Sequence, residues 1–391
     1  VTVVVSAVVW ISVSSWAEPK LDGALIFPVQ TEHCHGSSIV ELPNGDLLAA
    51  WFQGSGERSA NDVRINGARL NAGATEWSPV FLMADTPNLP DCNPVLYLDS
   101  RDTLWLFWIR VVANRWEDSI LMYRRTTDYS GDGAPDWAWQ DVITLLPGEA
   151  FVETLEAKLR EARVDRGMWG EYAVPYSRML VEAARDKRKR QTGWMTRIHP
   201  IELASGRMML PVYSDGFNIS MTAISDDGGS IWRAGGPMVG AGPIQPTLAQ
   251  RADGTIVAYC RDSGSAPGRV QRAESKDGGE TWSITKDTEF PNPSSSLEVI
   301  VLNDGAWAMI YNDTVDGRHS LAVSMSDDEG NSWKWTRHLE RSDRGVGSFA
   351  YPSFIQAADG SLHATYTYKD GPGGKAIKHS SFNTEWIKAD D

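Results

Sequence analysis

The chain has 391 residues, 23% of them charged, with a formal net charge of −14 at pH 7 and a pI near 5.0. Nucleic-acid phosphates demand a basic face, so this balance excludes nucleic acid as a partner; a local cluster of Arg and His can still hold an anionic ligand. Three cysteines, Cys34, Cys92 and Cys260, are odd in number and lack metal-ligand spacing, so they imply neither a disulfide framework nor a zinc site and read as small core residues.

Residues Val1 to Val13 are apolar and lead through Ser15-Trp16-Ala17 to Glu18-Pro19. This pattern resembles the tail of a secretory signal over 1–17, although it has no positive n-region; the alternative is an N-terminal strand. The run is too short for a membrane-spanning helix, so a secreted or periplasmic protein without a membrane span is expected.

From Ala24 onward the chain is punctuated by turn pairs between apolar runs: Asn44-Gly45, Ser205-Gly206, Asp253-Gly254, Asp304-Gly305 and Asp359-Gly360. Asn-Gly and Asp-Gly pairs in this setting predict β-hairpins. A second phrase recurs as Ser225, Asp227, Gly229, Ile231-Trp232, then Ser275, Asp277, Gly279, Thr281-Trp282, then Ser326, Asp328, Gly330, Ser332-Trp333. Asp and Gly supply a tight turn and the Trp buries a large ring. A period of about fifty residues signals a repeat architecture and suits a four-stranded blade. With Trp77, Trp137 and Trp386 as worn copies, six units are counted, and an all-β six-bladed β-propeller over 24–390 is predicted. A β-solenoid or two-sheet sandwich is the alternative.

Residues 149–191 break the pattern. Good helix formers with apolar residues at helical spacing predict two helices inserted between blades, either a lid over a site or a solvated excursion in which Lys187 to Arg190 is only charge.

Inner strands of a propeller converge at one mouth of the central channel. Their predicted starts contain His33-Cys34-His35-Gly36, Asn93-Pro94, Arg197-Ile198-His199-Pro200, Gln245-Pro246, Asn292-Pro293-Ser294 and Tyr351-Pro352-Ser353. The second strands end near Trp51, Trp108-Ile109-Arg110, Tyr213-Ser214-Asp215, Tyr259-Cys260-Arg261, Tyr311-Asn312 and Tyr366. Aromatic rings with polar partners suit sugars, or they pack the blades. Arginines and histidines are seldom buried without purpose.

The three Ser-x-Asp-x-Gly-x-x-Trp phrases resemble the Asp boxes of sialidases and related bacterial-neuraminidase-repeat proteins, and the resemblance runs from about Ala24 to Trp386 apart from the insertion. It implies a six-bladed propeller and a site in which an arginine triad grips a substrate carboxylate, a Tyr activated by a Glu is nucleophile, and an Asp is acid/base. Tyr351 falls where the nucleophile lies, Arg261 and Arg318 where two of the arginines lie, and Asp62 where the acid/base lies. The place of the first arginine holds His33-Cys34-His35, and the place of the activating Glu holds Gln245, which cannot take a proton from a phenol. Glu202 or Glu298 is a possible replacement.

The expected function is an exported carbohydrate-active enzyme, an exo-glycosidase removing a terminal acidic sugar, with Asp62 and Tyr351 catalytic and Arg197, Arg261, Arg318, Asn93, Gln245 and Tyr213 binding substrate. The His-x-His opening also resembles the sialidase-like branch that includes enzymes acting on rhamnose–glucuronate linkages and lyases of uronic-acid polymers, in which His35 or His199 would work with Tyr351 or Tyr213. A glycan-binding propeller without turnover is the third possibility. No spaced ligand set such as an EF-hand loop is present, so no cofactor and no required metal is expected.

Overall fold

The computed structural model describes residues 18–162, 176–264 and 266–389, so the signal-like stretch 1–17 lies outside the described residues. Each turn pair closes a hairpin of one design. Leu42 N–H bonds Asp46 O and Gly45 N–H bonds Leu42 O, and the same pair of bonds recurs at Leu203/Arg207, Arg251/Thr255, Leu302/Ala306 and Ala357/Ser361. The third loop residue, Gly45, Gly206, Gly254, Gly305 or Gly360, sits at φ between 82° and 89°, where a Cβ is unfavourable. A sixth hairpin, Asp99/Thr103, has the same bonds with Asp102 in the left-handed position at φ 57°, which is why its sequence carries no Gly signal.

Six antiparallel sheets follow, arranged as a six-bladed propeller. The first blade runs His33–Glu41, Leu47–Gly54, Arg64–Leu70 and Phe81–Ala84 from the axis outward. The sixth runs Gly347–Gln356, Leu362–Asp370 and Ala376–Phe382, and its outermost strand is Leu21–Leu25 from the start of the chain, in register Leu21↔Phe382 to Leu25↔Lys378. That pairing closes the ring by covering the outer edge of Ala376–Phe382 with a strand from the other end of the chain.

The repeated phrases form identical turns on the outer half of three blades. Ser225, Ser275 and Ser326 hydroxyls each donate to the following Asp at 2.8 Å and accept the N–H of Gly229, Gly279 or Gly330 at 2.8–2.9 Å. An Arg from the preceding blade's hairpin clasps each turn: Arg101 to Gly228 O, Arg207 to Gly278 O, and Arg251 to Glu329 O. The turns are therefore joints between blades as well as folding devices. Trp77 and Trp137 occupy the corresponding position in the first two blades, whereas Trp386 lies on a short helix, Thr384–Lys388, capped by Asn383.

Between the second and third blades stand three helices, α1 (Glu149–Ala162), α2 (Tyr176–Arg185) and α3 (Lys187–Gln191). Their apolar faces bury Phe151, Leu155 and Leu159 from α1 and Tyr176, Leu180 and Ala184 from α2. The basic run is more than charge: Arg190 is 4% exposed and bonds Pro147 O, Ala184 O and Glu149, closing the helical hairpin. Bonds from the helices to the propeller run from Lys158 to Pro237 O and Trp282 O and from Tyr176 to Asn218 O, along the flank of the third and fourth blades. No helix among the described residues is long and apolar enough to cross a membrane.

Candidate active site

The inner strands do not run straight through the channel. In four blades the ladder slips by one residue, at Gly36-Ser37, Asn93-Pro94, Gln245-Pro246 and Tyr351-Pro352. The first residue of each bulge is left-handed: Gly36 φ 61°, Asn93 φ 53°, Gln245 φ 51° and Tyr351 φ 56°, with Ser294 at φ 54° in the fifth blade. Bulges re-aim side chains, and non-glycine residues held in this region mark strain kept for function. Here the strain turns Asn93, Gln245 and Tyr351 toward one another.

Tyr351 is the hub. Arg261 Nη1 donates to its hydroxyl at 2.7 Å and Gln245 Nε2 at 3.4 Å. Guanidinium carbons of Arg197 and Arg318 each lie 5.2 Å from the ring centroid, that of Arg261 6.0 Å, and the His35 ring lies 4.1 Å away. Gln245 Nε2 also donates to Tyr213 Oη at 3.1 Å, and Asn93 Nδ2 does so at 3.2 Å. Ser294, which the sequence did not single out, holds two arginines at once: its hydroxyl accepts from Arg261 Nε and Nη2 at 3.2 and 3.0 Å, and its carbonyl from Arg318 at 2.8 Å.

Charge dominates this cluster. Arg197 is 2% exposed, and its donors go to the carbonyls of Ser37, Tyr351 and Pro352. Among the described residues none of Arg197, Arg261 or Arg318 is in a salt bridge; their bonds end on carbonyl, hydroxyl and amide oxygens. Buried charges ordinarily have counter-ions, so the cluster is short of negative charge.

Burial pushes the Tyr351 phenol up, but Arg261 and Arg318, the Gln245 bond and Arg197 outweigh it and hold the phenol below its ordinary 10.0. Tyr213 goes the other way, raised by burial and by Asp215. His35 is held neutral by burial and by Arg318, with Nδ1 2.7 Å from the Thr367 hydroxyl, which also accepts the Gly36 N–H. Asp215 is open to solvent yet ringed by protein, so desolvation raises its carboxyl in spite of Arg261 and Arg58.

Two candidates stand apart. His199 is not brought to Tyr351: in the third blade the ladder skips from Thr196↔Val212 to Ile201↔Met209, and the longer excursion carries His199 down the channel. There its Nδ1 meets Glu298 at 2.6 Å and its Nε2 the Ile39 carbonyl at 3.0 Å, beside Tyr97, Gln250 and Val301 on the hairpin side of the ring. Glu298 accepts the Phe354 N–H at 2.8 Å, and Glu202 bonds Ser100; neither touches Tyr351. Asp62 lies in the exposed 55–63 loop, its carboxylate accepting the Ser55 N–H and hydroxyl at 2.9–3.2 Å, bonds that hold it below the usual carboxylate range. In the same loop Glu57 pairs with His33 Nε2 at 3.3 Å.

The second-strand aromatics Trp51, Trp108, Tyr259, Tyr311 and Tyr366 are all 3% exposed or less and pack the blades, so they form no sugar platform. All three thiols are free and buried, and burial pushes Cys34 up to about 12. Among the described residues no three His, Cys, Asp or Glu side chains come together to hold a metal ion.

The BNR repeat-like domain family matches residues 45–159 and 185–364. A sialidase of Micromonospora viridifaciens is 26% identical over 178 residues, which cover 43% of this chain and 26% of that protein, so the chain spans about a quarter of that relative's length. Among solved structures, the intramolecular trans-sialidase of Ruminococcus gnavus in complex with oseltamivir carboxylate superposes with TM-score 0.64 at 14% identity, covering 93% of this chain and 97% of that one. The NanB sialidase of Streptococcus pneumoniae gives TM-score 0.66 at 11% identity, covering 93% and 71%.

Proposed function

The chain belongs to the BNR repeat-like domain family, and from that premise we propose that it is a sialidase-like glycosidase that removes a terminal acidic sugar from a glycan. The observation that carries this reading is the convergence of Arg197, Arg261 and Arg318 on Tyr351 without a salt-bridged carboxylate. A sugar carboxylate supplies the missing charge, and Arg261 and Arg318 are the two guanidiniums that Ser294 holds at the rim.

In this reading the Tyr351 oxygen, as the phenolate, attacks the anomeric carbon while Asp62, which takes up a proton on leaving its Ser55 bonds, gives that proton to the departing glycosidic oxygen. Water, deprotonated by Asp62, then breaks the Tyr351–sugar bond and regenerates the phenolate. Asp62 reaches the substrate by leaving its bonds to Ser55, which lie on the surface and cost little to exchange. The test is covalent trapping: a fluorinated acidic glycosyl donor that slows the second step should add its sugar mass to the peptide containing Tyr351. Trapping on another residue, or none alongside turnover, rejects the assignment.

Gln245 and His35 favour a second reading. With no carboxylate bonded to Tyr351 among the described residues and a neutral imidazole 4.1 Å from its ring, the same groups suit β-elimination from a uronate: arginines neutralise the carboxylate, Tyr351 removes the adjacent proton, and His35 or Asp62 protonates the leaving oxygen.

A further inference from the structure

Among the described residues, both groups hydrogen-bonded to the Tyr351 oxygen, Arg261 Nη1 and Gln245 Nε2, are donors. Arg261 has only donors, and the amide of Gln245 must present Nε2 to Tyr351 because its Oε1 accepts from Arg261 at 3.3 Å. Reversing that amide would set two donors against each other. Tyr213 shares the same amide nitrogen, but its other donor is the neutral Asn93, and among the described residues no guanidinium is hydrogen-bonded to it. The two phenols thus differ in charge environment: one faces three guanidiniums, none of them in a salt bridge among the described residues, and the other bonds two neutral amides and lies near the Asp215 carboxylate.

We propose that Tyr351 rests as a phenolate in the substrate-free protein, with Arg261 as the positioning residue that holds it ionised in place of a general base. This rests on the assignment of Tyr351 to the site, not on turnover. The phenolate offsets one of the three guanidinium charges and leaves the cluster still cationic, so that a sugar carboxylate can bind beside it. It also removes the need for a Glu at position 245, where an amide serves better because it donates to the phenolate without repelling it.

Ultraviolet difference spectroscopy decides the matter without a substrate. Among the 11 tyrosines of the chain, one should contribute a tyrosinate band at neutral pH and lose it on mild acidification while the far-ultraviolet circular dichroism stays constant. Tyr351→Phe should lack that band, and Arg261→Gln should return the titration toward ordinary phenols, with at least about a tenfold smaller ionised fraction at fixed pH. Wild-type protein with no tyrosinate below the ordinary phenol range overturns the proposal, and so does a band that survives Tyr351→Phe. If Tyr351→Phe fails to fold, wild type and Arg261→Gln still decide. A tyrosinate in a protein inert toward acidic glycans keeps this inference and rejects the glycosidase reading; turnover without a tyrosinate does the reverse.

Discussion

Arg261 and Tyr351 lie 90 residues apart on the fourth and sixth blades, yet Arg261 Nη1 sits 2.7 Å from Tyr351 Oη. Their meeting depends on the bulges that turn Gln245 and Tyr351 into the channel, and it gives a phenol in a buried site a cation where a carboxylate base is expected.

Replacing the nucleophile tests the chemistry apart from binding. Tyr351→Phe should lower kcat by about 10³-fold or more while KM changes little, since the ring that packs on His35 and the guanidiniums remains. Steady-state kinetics on an aryl glycoside of an acidic sugar measures the split. A rise in KM at unchanged kcat would make Tyr351 a binding residue.

Gln245→Glu distinguishes two ways of activating Tyr351. A carboxylate there would draw Arg261 away from the phenol and repel a phenolate, so activity at neutral pH should fall about tenfold or more. If the absent Glu is what limits this site, the same variant should gain activity instead.

Arg318→Lys should raise KM for a substrate bearing a carboxylate by about tenfold or more, because an ammonium cannot reproduce a planar fork, and should leave a neutral analogue unaffected. Equal losses on both substrates would place Arg318 in the scaffold rather than in carboxylate recognition.

Much of this architecture was legible because its signals are local. Asp-Gly pairs and Ser-x-Asp-x-Gly turns are short-range devices, and they led to six blades, while helix formers at helical spacing marked the insertion. Inner strands were partly legible from Asn93-Pro94, Gln245-Pro246 and Tyr351-Pro352, each of which is a bulge in the structure. The same dipeptide misled at His199-Pro200, because the third blade's excursion is longer and Arg197, two residues earlier, is the one that reaches Tyr351. In the fifth blade the left-handed residue is Ser294 rather than Asn292, whose side chain bonds Ser295. Ring closure by Leu21–Leu25 was not legible, since pairing across the whole chain leaves no local mark.

Joints between blades should be sensitive to volume. Gly229 has φ 79°, and a Cβ there would lie 2.3 Å from the Trp105 ring of the preceding blade. Gly229→Ala should cost about 2–4 kcal/mol, combining the left-handed backbone with overpacking of a buried ring. Urea unfolding measures it; a loss under about 0.5 kcal/mol would show that the joint yields.

Acid should loosen the ring through its histidines. Burial lowers His379 from 6.5 to about 3, and burial also lowers its stacked partner His363, whose Nδ1 lies 2.9 Å from His379 Nε2. With folded values depressed, the unfolded chain binds more protons below 6.5, so stability falls as pH drops from 6.5 toward about 3. His379→Phe should flatten the dependence of Tm on pH in that window; an unchanged slope would mean that the pair does not govern it.

The proposed activity, hydrolysis of a bond to an acidic sugar, is open to direct assay. Purified protein and Tyr351→Phe should be incubated with a sialylated oligosaccharide and with uronic-acid polysaccharides, following released sugar together with ultraviolet absorbance. Wild type should release free acidic sugar with no growth in absorbance, and the variant should not. Growth of the absorbance of an unsaturated uronate would contradict hydrolysis in favour of elimination, and silence on every acidic glycan would leave a propeller that binds without turnover.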